Sequence, residues 1–178
     1  MANTLAVVCC YGLFDTNLRS AKEIEGYRSY LINVVRSVIA HPEITSILVC
    51  GGRTDPRRRV SESVTVKPIM INMFATFDNK KEVPEITCEE GVNVAQHIEG
   101  ASERIINRPF SSCIVYCDRK SHFKAWAIAD YLLPFDCQWR IVSFKRKDVH
   151  PKNKYILQWL EGLRCRFDRR HIENLLDA

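Results

Sequence analysis

No apolar run in this chain approaches the ~20 residues needed to cross a bilayer, and the amino end, Met1-Ala2-Asn3-Thr4, lacks the basic stretch that opens an export signal. A cytoplasmic protein in a reducing compartment is therefore expected. Its eight cysteines (9, 10, 50, 88, 113, 117, 137 and 165) are read as scattered thiols, four of them small apolar fillers in or beside strand-like runs. Both glycine-rich phosphate fingerprints are missing. No Gly-x-Gly-x-x-Gly opens a helix, and the Gly-x-x-x-x-Gly-Lys spacing of a P-loop does not occur. None of Ser46, Ser63, Ser111 and Ser121 sits in a Gly-x-Ser-x-Gly elbow, which leaves a serine hydrolase without its required turn. Cys113-x-x-x-Cys117 has no second Cys/His pair at ligand spacing, so no metal is expected and the two thiols are read as core. Low-complexity segments and repeats at solenoid or propeller spacing are likewise missing.

What is present suits one ordinary α/β domain over residues 1–178, with a basic helical segment from about residue 150. Of the 178 residues, 46% are hydrophobic, enough for a sizeable core. The formal net charge is +5, with Lys and Arg in excess over Arg53 to Arg59 and again from Arg140 to Arg170. An anionic partner fits that balance; so does plain solubility.

Leu5 to Cys10 and Ile44 to Cys50 are continuous apolar runs of strand length, as expected of strands covered on both faces of a parallel sheet. Between them Ile24, Tyr27, Leu31, Val34, Val35 and Val38 recur at helical spacing, with Pro42 soon after. Gly51-Gly52 ends the second strand abruptly. Ser61-Glu62-Ser63 offers cap-type residues before a helix over Val64 to Phe74, in which Pro68 must start, kink or split the helix. Val83 to Ile86 reads as a short edge segment, and Thr87-Cys88-Glu89-Glu90 as a Thr-x-x-Glu capping box for the helix that follows, with Val94, Ala95, Ile98, Ser102 and Ile105 on its apolar face. Cys113 to Cys117 is a strand, Asp118 to Ser121 a polar loop, Phe123 to Leu133 a helix, Trp139 to Phe144 a last strand, and helices follow from about Lys152. Alternation of this kind predicts a three-layer, Rossmann-like fold whose mostly parallel sheet, with four parallel strands, is flanked by helices. Its ligand crevice belongs at the carboxyl ends of the strands, where Gly12, Gly51-Gly52 and Asp118 to His122 gather.

Chemistry is densest in Asp118-Arg119-Lys120-Ser121-His122-Phe123-Lys124. Histidine is the one side chain whose unperturbed pKa lies near neutrality, so His122 could shuttle a proton or meet a phosphate oxygen, with Asp118 orienting it, while Arg119 and Lys124 attract anions and Ser121 supplies a hydroxyl. The plainer alternative is a helix cap with solvated neighbours. Gly51 and Gly52 would let a ligand approach peptide N–H groups, and the alternative is an ordinary tight turn. Ser61 and Glu62 could cap a helix or bind sugar hydroxyls; Thr87 and Glu90 are accounted for by the capping box, leaving Glu89 as the freer carboxylate. His41 and His97 fall where helix-surface residues fall, and neither they nor His150 and His171 are given a role.

Ile47-Leu48-Val49-Cys50-Gly51-Gly52, then Ser61-Glu62-Ser63, then Thr87-Cys88-Glu89-Glu90, then Val115-Tyr116-Cys117 through His122 resemble, in order and spacing, the SanA/ElyC/YdcF-like family over roughly residues 4 to 145. By that resemblance Gly51, Gly52, Ser61, Glu62, Thr87, Glu89 and His122 would line the pocket. The chain departs from the family pattern at Glu90, where the family has Asn, and at Lys124, one residue nearer the His than the family's Arg.

Two functions are expected from different classes. The first is a small-molecule enzyme, a transferase or hydrolase, or a ligand-binding domain for a phosphorylated or nucleotide-like compound, with S-adenosylmethionine or an adenine nucleotide as compatible ligands. In it Arg53, Arg119 and Lys124 hold anionic groups, Glu62 and Glu89 bind hydroxyls or act as acid and base, and His122 transfers a proton. The second is a non-catalytic regulatory module binding nucleic acid or an acidic partner through its basic loops.

Overall fold

The computed structural model describes residues 3–10, 20–53, 60–77, 83–108, 110–145 and 153–178. Gly12, the Arg57-Arg58-Arg59 loop and His150 lie outside the described residues. The chain alternates β1 (Thr4–Cys9), α1 (Ala21–Ile39), β2 (Ile44–Cys50), α2 (Glu62–Phe77), β3 (Glu85–Glu89), α3 (Val94–Asn107), β4 (Ser112–Asp118), a 3₁₀ turn (Arg119–Ser121), α4 (His122–Leu132), β5 (Gln138–Phe144), α5 (Asn153–Phe167) and α6 (Arg169–Leu176).

The five strands form one sheet in the order β3-β2-β1-β4-β5, every pairing parallel. Alternation along the strands sends Leu5, Val7, Cys9, Cys113, Val115 and Cys117 to one face, where α3 and α4 pack with Cys165 of α5 and Ile172 of α6. Ala6, Val8, Cys10, Ile114 and Tyr116 face the other way, against the apolar stripes of α1 and α2. The chain thus steps outward from β1 to β3 beneath one layer of helices, then crosses to β4 and steps out to β5 beneath the other. The direction reverses between β1 and β4, which is the topological switch point of such a sheet.

The apolar face expected of α1 is buried in full. Its start carries a signal that the sequence reading passed over: Ser20 and Glu23 form a capping box, each side chain meeting the other's backbone N–H.

Three expectations change. The sheet has five parallel strands, because the edge segment is a full strand, shifted to Glu85–Glu89 and paired with β2. The Thr87–Glu90 capping box does not form. Thr87 is a β-branched residue inside β3, in register with Leu48 and with its hydroxyl donating to the Ile47 carbonyl at 3.4 Å. Asn93 caps α3 instead, its side-chain oxygen accepting from the Ala95 and Gln96 N–H groups at 2.9 and 3.1 Å. Lastly, Pro68 neither starts nor splits α2, which runs from Glu62 to Phe77. The proline removes one internal hydrogen bond, yet Val66 before it and Met70 and Phe74 after it are anchored in the same core.

Candidate functional site

Because β1 stands between β2 and β4, the Gly51-Gly52 turn and the Asp118–His122 turn sit two strand spacings apart, ~10 Å, at one edge of the sheet. Under the switch point lies Tyr30, which the sequence reading did not single out. Its fully buried hydroxyl is 3.1 Å from the Cys9 carbonyl and 3.0 Å from the Tyr116 carbonyl, bridging the ends of β1 and β4 where their ladder stops.

The exit of β2 is stitched into the protein itself. Gly51 N–H donates to the Glu89 carbonyl at 3.0 Å, while the Gly52 and Gly51 carbonyls accept from the N–H groups of Glu62 and Ser63 at 2.9 and 3.2 Å. A Cβ on Gly51 would stand 2.7 Å from Cys10 Cβ and 2.9 Å from Glu62 Cβ, and one on Gly52 would stand 2.9 Å from the Gly91 carbonyl oxygen. Both glycines are therefore required where backbone meets backbone. Ser61 and Ser63 lie buried with their hydroxyls 3.2 Å apart, and Glu62 is only 2% exposed beside Cys10. Burial pushes the Cys10 thiol up to about 12; the Tyr27 hydroxyl relieves some of this and the Glu62 carboxylate adds to it. Such a thiol is a packing group, not a nucleophile.

Beyond β2, a cleft of about 670 Å³ opens between the tip of β3, the start of α3 and the end of α6. Among the described residues Glu89, Glu90, Glu99 and Glu103 line it with one cation, Arg53, which lies 3.8 Å from Glu90. Its rim is held by the side chains at the start of α3: Asn93 donates to the Leu175 carbonyl at 2.7 Å and Gln96 to the Leu176 carbonyl at 3.1 Å. His97, expected on the helix surface, is 4% exposed, because α3 turns that side toward β2 and the β3–α3 loop. The Gly91 carbonyl, 2.8 Å from Nε2, can only accept, so Nε2 carries the proton, and the buried Nδ1 has no hydrogen-bond partner among the described residues. Burial pulls this imidazole down to about 4, the Gly91 carbonyl opposing part of the effect.

The exit of β4 is built differently. Asp118, 4% exposed, caps the 3₁₀ turn by accepting from Lys120 N–H at 3.4 Å. Ser121 is buried but forms no side-chain cap for α4. Arg119 is exposed. His122, also exposed, has its Nδ1 3.1 Å from Ser143 Oγ at the end of β5, a partner that sequence spacing could not reveal. Nε2 is thus the ring nitrogen left for a ligand. Lys124 turns away to Glu161 of α5, with 2.5 Å between charged atoms. The sequence-predicted residues therefore fall into two groups, Gly51, Gly52, Arg53, Ser61, Glu62, Glu89 and Glu90 around β2 and β3, and Asp118, Arg119, Ser121 and His122 at β4; Thr87 sits below the rim in β3 and Lys124 faces α5.

Among the described residues, no group of three or more His, Cys, Asp or Glu side chains could hold a metal ion, and no helix is long and apolar enough to cross a membrane. No protein-family model, no curated protein and no solved structure matches the chain.

Proposed function

We propose that the chain is a small-molecule enzyme or ligand-binding domain for a phosphorylated or nucleotide-like compound, with the anionic group held at the exit of β4 by Arg119 and His122. The observation that carries this reading is a contrast between two helix starts beside the switch point. In doubly wound sheets a dinucleotide's pyrophosphate lies at the start of the first helix. Here Glu23 and Ser20 already fill that position on α1. α4 has no side-chain cap of its own, Asp118 capping the 3₁₀ turn that leads into it, and its start carries a cation on that turn and an imidazole at its first residue. A dianion is favoured there by partial positive charge and by Arg119 together.

In this reading Ser143 fixes the His122 ring, and Nε2 binds the anion or passes a proton to a leaving oxygen, as transfer or hydrolysis of a phosphorylated substrate requires. The strand order supports an adenine nucleotide or S-adenosylmethionine as occupant, since its switch point lies next to this turn. The SanA/ElyC/YdcF-like resemblance supports the same edge of the sheet.

A thermal-shift series with AMP, ADP, ATP, S-adenosylmethionine and sugar phosphates tests it. At least one compound should raise the melting temperature saturably, and Arg119→Ala and His122→Ala should each abolish the rise without changing the melting temperature of the unliganded protein. No rise with any compound, or a rise that survives both substitutions, overturns the assignment. Polyanion binding that weakens steeply with salt and survives His122→Ala would favour the nucleic-acid reading instead.

A further inference from the structure

A serine that no sequence motif marks stands where the strands end. β5 alternates like its neighbours, so that Trp139, Ile141 and Ser143 fall on one face and Arg140, Val142 and Phe144 on the other. Trp139 and Ile141 pack against the core beneath α3 and α4. The third member of that row is a hydroxyl, half-buried and in register with Cys117 of β4. Packing does not call for it, since an apolar side chain would continue the row.

The first residue of α4 reaches this hydroxyl: His122 Nδ1 lies 3.1 Å from Ser143 Oγ, and the pair is exposed. Ser102 and Ser61 show what a purely structural hydroxyl does in this protein. One meets the Leu132 carbonyl at 2.7 Å, the other the Ser63 hydroxyl at 3.2 Å. Ser143 meets a titratable ring instead, within hydrogen-bond reach, which is the arrangement of a nucleophile and its base. Strand register presents the hydroxyl, so no Gly-x-Ser-x-Gly elbow is required. An anion at Nε2 needs the ring proton there. Nδ1 is then the unprotonated nitrogen, and the Ser143 hydroxyl donates to it.

We propose that Ser143 is a nucleophile activated by His122, and that the protein transfers or hydrolyses a phosphoryl group through a covalent phosphoserine at this position. The inference rests on the anion site proposed above, because Arg119 and the start of α4 hold the phosphoryl oxygens while the hydroxyl attacks. Ser143 Oγ forms a bond to phosphorus and its proton passes to Nδ1; the bond from phosphorus to the leaving oxygen breaks, and that oxygen takes the proton of Nε2. Water then reverses the course. It gives a proton to Nε2 as its oxygen binds phosphorus, the bond from phosphorus to Oγ breaks, and Nδ1 returns a proton to Oγ. An acceptor hydroxyl in place of water makes the second step a transfer.

Peptide mass spectrometry on the full chain tests this with two probes, diisopropyl fluorophosphate, which is uncharged, and acetyl phosphate, a dianionic phosphoryl donor. Both should modify Ser143, and Ser143→Ala should remove the modified peptide. His122→Ala, its circular dichroism unchanged, should slow both reactions at least about a hundredfold. Arg119→Ala should slow the acetyl phosphate reaction far more than the other, because only the dianion draws on the cation. Failure of both probes to modify Ser143 overturns the proposal, as does labelling that proceeds at the same rate in His122→Ala. The two readings fail separately. A nucleotide that raises the melting temperature of a chain neither probe modifies leaves the anion site standing and overturns the nucleophile. His122-dependent labelling by the fluorophosphate alone, with no phosphorylated compound binding, keeps the activated serine and overturns the anion site.

Discussion

The cleft beyond β3 and the turn after β4 lie at the same edge of one sheet and invite opposite ligands. The first is a cleft of about 670 Å³, yet among the described residues four glutamates face one arginine there, and its loop is pinned by His97 and by the last carbonyls of α6. The second offers Arg119, a helix start preceded by the Asp118-capped turn, and His122 backed by Ser143. For an anion, sign of charge outweighs volume: unit charges of like sign at 4 Å repel by ~4 kcal/mol near a protein surface, more than a few well-placed contacts return. The turn after β4 is therefore the place proposed for the anion.

That comparison can be broken at four points, in falling order of effect. Gly51→Ala forces a Cβ into Cys10 and Glu62 on the closed side of the edge and should cost ~3 kcal/mol, read from the midpoint of urea unfolding. A normal midpoint would mean that the β2 turn is looser than its contacts indicate.

Acid should loosen the β3 side next. The His97 ring, at about 4 when folded, lies below its unfolded value near 6.5, so between those pH values the unfolded chain binds the extra proton. Its contribution is complete above pH ~6.5 and is lost as pH falls toward 4, by roughly 3 kcal/mol in all. His97→Gln, which keeps a donor for the Gly91 carbonyl, should flatten that part of the stability–pH curve; an unchanged slope would locate the titrating group elsewhere.

At the β4 turn, Arg119→Ala should weaken binding of a phosphorylated ligand at least tenfold, ~1.4 kcal/mol, while Arg53→Ala in the acidic cleft leaves it untouched. Equal losses from both would erase the distinction between the two places. Smallest is Ser20→Ala, which removes one half of the α1 capping box and should lower stability by ~1 kcal/mol without affecting ligand affinity.

Much of the fold was legible because it follows from local rules. Buried parallel strands announce themselves as unbroken apolar runs, as Ile44–Cys50 did to the residue, and the stripe of α1 emerged from helical spacing alone. The capping signal at Thr87 failed for a reason of the same kind. Thr and Glu side chains suit a cap in isolation, but pairing with β2 offered that segment five strand partners, and the cap passed to Asn93, where the strand ended. His97 escaped notice because a helix surface and a helix–sheet interface share one periodicity, and only packing shows which side is inside.

The candidate site divides along the same line. By itself the sequence determined that Gly51-Gly52 and Asp118–His122 end strands at one edge of an α/β sheet, since strand and helix periods and turn residues are read from neighbours in the chain. Tertiary structure alone decided that β1 separates them, that the Gly51-Gly52 backbone is bonded to Glu62, Ser63 and Glu89, that Lys124 is taken by Glu161, and that Ser143 stands behind His122. Each of these contacts joins residues from different elements, and strand order and packing bring such residues together without leaving a mark in either local pattern.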